Sequence, residues 1–172
     1  MSVSIQRISQ EHAVGFNRVY DLVARERRYL SALEGHPLGR TQAFVANNIA
    51  NNYPQFVALA GEDVVGWCDI IPMMLRTHAH VGVLGMGLLP GFRGQGIGRA
   101  LINVTIKAAQ DLGLIRIELT VHADNASAIA LYSSIGFARE GVRKDAALID
   151  GVFKDIVMMA LVDRNVSKII RQ

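Results

Sequence analysis

The sequence predicts a single α/β domain built on a mixed sheet of about seven strands with about four helices. Of the 172 residues, 51% are hydrophobic and 19% are charged, which suits one globular domain with a substantial core. Strand and helix patterns follow in the order β-α-α-β-β-β-α-β-α-β-β, and no internal repeat or long linker divides them. We therefore expect one domain over residues 1–172.

The first half of the chain predicts a strand, two helices and a pair of strands. Strands are expected at residues 3–8, 55–60 and 64–71, and helices at residues 9–30 and 41–52. Ser9 and Thr41 are suitable N-cap residues for the two helices. Gly61 lies in the short connection between the second and third strands, which is typical of a hairpin.

The second half predicts a crossover followed by a hairpin. Strands are expected at residues 80–89, 114–122, 138–148 and 153–162, and helices from residue 95 to about 113 and from 125 to 133. Residues 114–122 alternate strictly between apolar and polar side chains. The crossover from strand 80–89 to strand 114–122 predicts parallel neighbours. Asp150-Gly151 is a strong hairpin signal, and Gly136 can close the last helix.

Composition narrows the classes of function. The net charge of +3 is too small and too dispersed to indicate a nucleic-acid partner. The only cysteine, Cys68, excludes an intramolecular disulfide and is typical of a small buried apolar residue rather than a nucleophile. The first residues lack a signal-peptide apolar core, and the apolar run 81–92 is shorter than the roughly 20 residues of a membrane span. We expect a cytoplasmic protein without membrane partners.

The basic cluster Arg25-Glu26-Arg27-Arg28 has two interpretations. Late in the predicted first helix, its cations would favour the negative end of the helix dipole. The alternative is contact with an anionic group of a ligand near Arg28 or Tyr29, which makes these two residues candidate substrate contacts.

The stretch GFRGQGIG at residues 91–98 places four glycines at the start of a helix. Backbone N–H groups of such a turn can converge on an anion such as pyrophosphate, with Arg93 and Arg99 adding charge. A nucleotide-triphosphatase loop is excluded because Ile97-Gly98 stand where Lys-Ser/Thr is required. The dinucleotide fingerprint is excluded because the spacing is G-x-G-x-G in mid-chain.

Two motifs together resemble the GNAT N-acetyltransferase superfamily. Arg93-x-x-Gly96-x-Gly98 is similar to its acetyl-coenzyme A loop, Q/R-x-x-G-x-G/A. The stretch NASAIALYSSIGF at residues 125–137 is similar to its second signature, N-x-x-A-x-x-x-Y-x-x-x-G-F. The resemblance implies the acyl-CoA N-acyltransferase fold, with strands 80–89 and 114–122 splayed apart, and acetyl-CoA as cosubstrate.

The resemblance also implies roles for particular residues. Backbone N–H groups around the glycine turn would hold the coenzyme pyrophosphate, and Asn125 would bond the pantetheine arm. A bulge at Gly85 and Gly87 would open the slot and free an N–H near Met86 or Leu88 for the thioester carbonyl. The implied coenzyme contacts are Leu88, Leu89, Arg93, Gly94, Gly96, Ile97, Gly98, Arg99, Asn125, Ala128 and Tyr132.

Tyr132 matches the tyrosine that protonates the leaving thiolate in this superfamily, although helix packing is the alternative. The general base departs from the family pattern, because the strand before the loop has no carboxylate and Thr120 occupies the second usual place. Glu118, on the same face, is the candidate base acting through water, and a solvated strand residue is the alternative.

The acceptor we expect is a small primary amine, an amino acid or an analogue. A peptide α-amine with a pKa near 8 needs under about 1 kcal/mol to become neutral at pH 7.5, whereas lysine needs roughly 4, so a weak base suffices for the former. The alternatives are protein N-terminal acetylation and a non-catalytic acyl-CoA sensor. His78 and His80 lack a third ligand, so no metal is expected. A homodimer is possible for the family.

Overall fold

The computed structural model describes residues 2–165, and these form a seven-stranded sheet with helices on both faces. Its strands are β1 (Val3–Arg7), β2 (Gln55–Ala60), β3 (Asp63–Pro72), β4 (Val81–Leu88), β5 (Arg116–His122), β6 (Ala138–Ile149) and β7 (Val152–Val162). Its α-helices are α1 (Ala13–Arg25), α2 (Leu38–Ala50), α3 (Ile97–Asp111) and α4 (Ala126–Ile135). Short 3-10 turns cover Gln10–His12, Arg76–His78 and Pro90–Phe92. The prediction of seven strands and four helices is confirmed.

The sheet has the order β1-β2-β3-β4-β5-β7-β6. Every neighbouring pair is antiparallel except β4 and β5, which are parallel as the crossover predicts. The β6–β7 turn has left-handed backbone at both Asp150 (φ 49°) and Gly151 (φ 80°), as a two-residue hairpin requires. Gly136 ends α4 with φ 115°, as expected.

Each face of the sheet carries its own apolar cluster. The α1/α2 face buries Phe16, Val19, Val45 and Trp67. The α3/α4 face buries a larger cluster that includes Leu101, Ile102 and Ile117. Alternate residues of β3 therefore serve different clusters, because successive side chains of a strand point to opposite faces.

The two N-terminal helices differ from the prediction at their ends. α1 ends at Arg25 rather than near residue 30, so only Arg25 of the basic cluster lies in the last helical turn, and the dipole interpretation is wrong for Arg27 and Arg28. Arg27 has left-handed backbone (φ 56°), which turns the chain out of the helix. α2 begins at Leu38, and Thr41 is buried inside it, where its Oγ1 accepts a 2.8 Å hydrogen bond from Asn17.

No helix among residues 2–165 is long and apolar enough to cross a membrane.

Candidate active site

Strands β4 and β5 pair over only three residues and then separate. The ladder joins Val81 to Arg116, Gly82 to Ile117 and Val83 to Glu118, and it ends there. The Leu89 N–H donates to the Val65 carbonyl on the β3 side. Because peptide groups alternate sides along a strand, the N–H and C=O groups of Met86 and Leu88 face the opposite side, where β5 has diverged. The predicted splay is confirmed, and it leaves a gap lined by backbone polar groups.

The bulge that the resemblance implies in β4 is absent. Strand β4 pairs with β3 in continuous register from Gly82↔Pro72 to Leu88↔Gly66. The glycines make room for side chains of β3 instead: a Cβ at Gly87 would lie 2.4 Å from the Trp67 ring, and one at Gly85 would lie 3.2 Å from Asp69 Oδ1. The gap therefore arises because β5 diverges, while β3 and β4 stay regularly paired.

The glycine turn lies at the end of this gap. Gly94 (φ 73°) and Gly96 (φ 82°) have left-handed backbone with no other atoms near their Cβ positions, so the turn is open on the outside. The first bond of α3 runs from the Ala100 N–H to the Gly96 carbonyl at 3.1 Å. The N–H groups of residues 97–99 thus precede the helical bonding pattern and are available to an anion.

Gly98 and its apolar neighbours form the inner wall of the turn. Gly98 lies inside α3, and a Cβ there would be 3.4–3.5 Å from side-chain atoms of Leu88, Leu131 and Met86. Leu89, Ile97 and Ala128 are partly buried against the same cluster. The expected coenzyme contacts from β4, α3 and α4 therefore meet at one place.

The Arg93 side chain is bound by other residues of the fold, whereas the sequence suggested that its charge serves an anionic ligand. Its Nε donates to the Leu88 carbonyl at 2.8 Å, and its Nη1 donates to Glu26 at 2.9 Å. The guanidinium lies 4.6 Å from the Tyr29 ring centroid. Glu26 offsets its charge, so Arg93 joins the end of β4 to the loop between α1 and α2. Arg99, whose Nη2 donates to Ser134 at 2.7 Å, stays beside the turn.

Asn125 is the N-cap of α4. Its Oδ1 accepts hydrogen bonds from the Ala128 N–H and the Ser127 hydroxyl, both at 3.2 Å. Its Nδ2 makes no hydrogen bond among residues 2–165 and is available to a ligand. The geometry thus gives the carbonyl of this side chain a structural role and leaves the amide nitrogen free.

Tyr132 is buried on α4, with its ring 5.9 Å from that of Phe137. Its hydroxyl makes no hydrogen bond within the described chain. Burial, and secondly the neighbouring Cys68 thiol, raise the pKa of Tyr132, so the phenol stays protonated at neutral pH. Such a group keeps its proton until negative charge develops on a base in direct contact with it, such as an emerging thiolate.

Glu118, the expected base, is held in an ion pair. Its Oε1 accepts a 2.6 Å hydrogen bond from Arg116 Nε, and Arg116 also pairs with Glu140. Glu118 is thus part of an ion-pair network with Arg116 and Glu140.

Asp69 is a carboxylate that the sequence reasoning missed. It lies on β3 opposite Gly85, is only 8% exposed and has no hydrogen bond or ion pair among the described residues. Burial raises its pKa from the ordinary value to about 7. The available signal was one acidic residue in the middle of an apolar strand, VVGWCDII. A buried, unpaired carboxyl group whose pKa lies in the neutral range is a candidate functional group.

Arg28 and Tyr29 lie in the loop between α1 and α2, which reaches across to the end of β5. The Arg28 carbonyl accepts a 3.0 Å hydrogen bond from His122 Nδ1. Both residues line a cavity of about 200 Å³ together with residues 124–127 at the start of α4. The structure therefore places them beside Asn125.

Potential metal ligands do not cluster: no group of three or more His, Cys, Asp or Glu side chains suited to a metal comes together in residues 2–165. His78 ends a 3-10 turn, and its Nδ1 lies 3.0 Å from the Thr77 hydroxyl.

Comparison with known proteins finds acetyltransferases among the relatives of this chain. The L-amino acid N-acetyltransferase AaaT of Escherichia coli is 37% identical over 109 residues, which are 63% of this chain and 67% of that protein. The [ribosomal protein bS18]-alanine N-acetyltransferase of Escherichia coli is 38% identical over 72 residues, 42% of this chain and 49% of that enzyme. A mycothiol acetyltransferase of Pseudarthrobacter chlorophenolicus is 40% identical over 83 residues, 46% of this chain and 25% of that protein.

The fold has close counterparts among solved structures. The structure of yncA from Salmonella typhimurium, determined with acetyl-CoA, superposes with a TM-score of 0.88 at 17% identity and covers 94% of both chains. The family model described as "Acetyltransferase (GNAT) family" matches residues 16–137, which include the splayed strands, the glycine turn and all of α4. The chain therefore belongs to the GNAT family of N-acetyltransferases.

Proposed function

We propose that this protein transfers an acetyl group from acetyl-CoA directly to a small primary amine, an amino acid or an amino-acid analogue. The observation that carries the proposal is the gap between β4 and β5, which begins beyond Val83 and ends at the glycine turn. One wall presents backbone groups of β4 that face away from β3, of which the Leu88 carbonyl already accepts a hydrogen bond from Arg93. One end presents free helix N–H groups. This arrangement suits a long ligand with amide groups and a pyrophosphate.

The described residues fit coenzyme A at three points. The N–H groups of residues 94–99 suit the pyrophosphate, with Arg99 beside them. The Met86 backbone and the Leu88 N–H suit the amides of the pantetheine arm, and Asn125 Nδ2 supplies a further donor. When bound, acetyl-CoA supplies an acetyl group activated as a thioester.

The chain's own residues favour direct transfer over an acyl-enzyme. Cys68 is completely buried, and burial raises the pKa of its thiol, so a thiolate nucleophile is disfavoured. Tyr132 is the group proposed to return a proton to sulfur, because its raised pKa keeps it protonated until thiolate charge develops. The N–H of Met86 or Leu88 is proposed to polarise the thioester carbonyl.

Two kinds of relative bear on the acceptor. AaaT, by its name, acts on L-amino acids, and its match spans 63% of this chain. The bS18-alanine enzyme acts on a ribosomal protein, and its match spans 42%. The wider match favours a free amino acid, and peptide N-terminal acetylation is the second candidate. The buried free thiol of Cys68 suits a reducing, cytoplasmic setting.

The test is thiol release from acetyl-CoA with separate panels of L-amino acids, amino-acid analogues, polyamines and N-terminal peptides. We expect turnover with free amino acids and no acetylated protein by intact-mass measurement during turnover. Turnover of peptides alone would establish the second candidate. Coenzyme binding by calorimetry with no thiol release from any panel would establish a non-catalytic acyl-CoA sensor instead.

A further inference from the structure

Asp69 lies where an acceptor amine would approach the gap. It shares the α1/α2 face of β3 with Trp67, and its cross-strand neighbour on β4 is Gly85, two residues beyond the end of the β4–β5 ladder. Because Gly85 has no side chain, nothing on β4 covers the carboxylate on that face. Asp69 thus lies beside the point at which the two strands separate.

The carboxylate has no partner on the neighbouring strands. Its β2 neighbour is Gln55, which is fully buried and whose Oε1 accepts a 2.9 Å hydrogen bond from Asn48. Both carboxylate oxygens of Asp69 keep some access to solvent. They make no hydrogen bond within the described part of the chain, yet neither is among the fully buried side-chain atoms that lack a hydrogen-bond partner. A buried carboxylate without a cationic partner is costly, and an incoming ammonium group would remove that cost.

Aromatic side chains and one cation lie near Tyr20 of α1, on the α1/α2 face of the sheet that Asp69 shares. The Tyr20 ring lies 5.4 Å from Trp67 and 5.5 Å from the His36 ring. Burial is the largest effect on the pKa of Tyr20 and raises it. The negative charge of Asp69 raises this pKa further, and the positive charge of Arg40 lowers it. The Tyr20 side chain is therefore within electrostatic reach of both charges. Arg40 is exposed, and its guanidinium has no partner among residues 2–165.

We propose that Asp69 receives the α-ammonium group of the acceptor and takes its proton, and that Arg40 contacts the α-carboxylate of the same molecule. This inference rests on the proposed function and narrows its substrate class. The acceptor is a free α-amino acid, which carries both charges on one carbon. A peptide N-terminus lacks the adjacent carboxylate, because that carboxyl group is part of an amide bond.

The proton and electron balance of the step is complete. Asp69 accepts one ammonium proton, and the freed nitrogen lone pair forms the C–N bond with the thioester carbonyl carbon. The C–S bond breaks, and the sulfur leaves with its electron pair. Tyr132 donates its proton to this sulfur and is reprotonated by the second proton that the nitrogen loses. The products are an N-acetyl amino acid, a free thiol and protonated Asp69, which returns its proton to water.

Tyr20 is the titratable group from the helix layer that Asp69 influences directly, and Arg40 of α2 and His36 of the preceding loop lie near Tyr20. Gln55 and Gly85, the neighbours of Asp69 on the flanking strands, do not titrate. Cys68, next in the chain, stays a neutral thiol because burial raises its pKa. Asp69 must be ionised to act as a base, so activity should rise with pH up to about 7.

The first test compares Asp69→Asn with Asp63→Asn, a matched change at an 82% exposed side chain on the same strand. In the wild type and in Asp63→Asn, kcat/KM for an amino acid should rise tenfold per pH unit and bend near pH 7. In Asp69→Asn, kcat/KM at pH 7.5 should be lower than in the wild type by at least about 100-fold. Its kcat/KM should keep rising with pH up to the pKa of the amine, with no bend near pH 7. The affinity for acetyl-CoA should be unchanged. If Asp69→Asn has the same pH dependence of kcat/KM as the wild type, the inference is overturned. If Glu118→Gln loses the bend near pH 7 and Asp69→Asn keeps it, the base is Glu118.

The second test compares an amino acid with its α-amide, which lacks the carboxylate charge. The wild type should prefer the acid at least about 10-fold in kcat/KM, and Arg40→Gln should abolish the preference by raising KM. Arg143→Gln, a change on exposed β6, should leave the preference intact. Equal use of acid and amide by the wild type would refute the role of Arg40.

A binding measurement separates this inference from the proposed function. Calorimetry of a free amino acid with the protein saturated in coenzyme A should detect binding that Asp69→Asn abolishes and Asp63→Asn keeps. If this binding occurs but no amine is acetylated, the proposed function fails and the assignment of Asp69 stands. If amines are acetylated by Asp69→Asn as by the wild type, the proposed function stands and the assignment fails.

Discussion

Replacing Asp69 by asparagine should stabilise the protein at alkaline pH while it impairs catalysis. The folded-state pKa of Asp69 is raised to about 7, whereas the unfolded value is near 3.9, so folding favours the protonated carboxyl group. Between these values the folded state binds the extra proton, and stability falls as pH rises through this window. Below about pH 4 the carboxyl group is protonated in both states and adds no cost of charge, and above pH 7 the full cost of the charge is present.

The magnitude follows from the width of that window. Each pH unit is worth about 1.4 kcal/mol, so about three units give roughly 4 kcal/mol of lost stability at pH 8. Asparagine has nearly the same shape, but its amide costs about 2 kcal/mol more to bury than a neutral carboxyl group because it has one more donor to desolvate. The net expectation is that Asp69→Asn is about 2 kcal/mol more stable than the wild type at pH 8, or about 4–8 °C in Tm.

The assay is urea unfolding followed by fluorescence of Trp67, the single tryptophan, at pH 5 and pH 8. The stability gain of Asp69→Asn should appear at pH 8 and shrink at pH 5, with an unchanged m-value. Asp63→Asn is the control and should stay within about 0.5 kcal/mol of the wild type at both values. Destabilisation of Asp69→Asn by the same amount at both pH values would refute the reasoning, because it would mean that the carboxylate is satisfied in the fold.

Three further changes test other parts of the account. Tyr132→Phe should lower kcat about 100-fold with little change in acetyl-CoA affinity, and an unchanged kcat would remove Tyr132 from the acid role. Gly87→Ala should cost about 1–3 kcal/mol in denaturant unfolding because its Cβ would meet the Trp67 ring at 2.4 Å, whereas Gly91→Ala, in open space, should not. Gly96→Ala and Gly61→Ala should each cost about 1–2 kcal/mol through left-handed strain. Only Gly96→Ala should also weaken acetyl-CoA binding in calorimetry, and equal binding by both would exclude the turn from the coenzyme site.

Local patterns predicted the elements because each depended on residues close in sequence. Strand β5 alternates cleanly, and Asp150-Gly151 and Gly136 have the backbone conformations that their turns require. The predicted end of α1 was five residues too late, because the chain leaves the helix through the left-handed backbone of Arg27. The Gly35 N–H then bonds Asp21, 14 positions earlier, a contact that no local pattern indicates.

The site was harder to predict because its key relations join distant parts of the chain. Arg93 pairs with Glu26 across 67 positions, and no local pattern indicates that its charge is compensated. Gly85 and Gly87 suggested a bulge, but their meaning depends on the register with Asp69 and Trp67 on β3. Asp69 was missed because an acidic residue in an apolar strand becomes informative only when its face and its lack of a partner are known.

The central claim is tested most directly by a competition assay in one vessel. Equimolar free L-amino acids, their α-amides and N-terminal peptides are incubated with the enzyme and acetyl-CoA at pH 7.5, and the products are identified by mass spectrometry against total thiol release. We expect N-acetyl amino acids to dominate the products and to match the released thiol one for one. Acetylation of peptides alone would contradict this expectation. Binding of the coenzyme without thiol release and without an acetylated product would also contradict it.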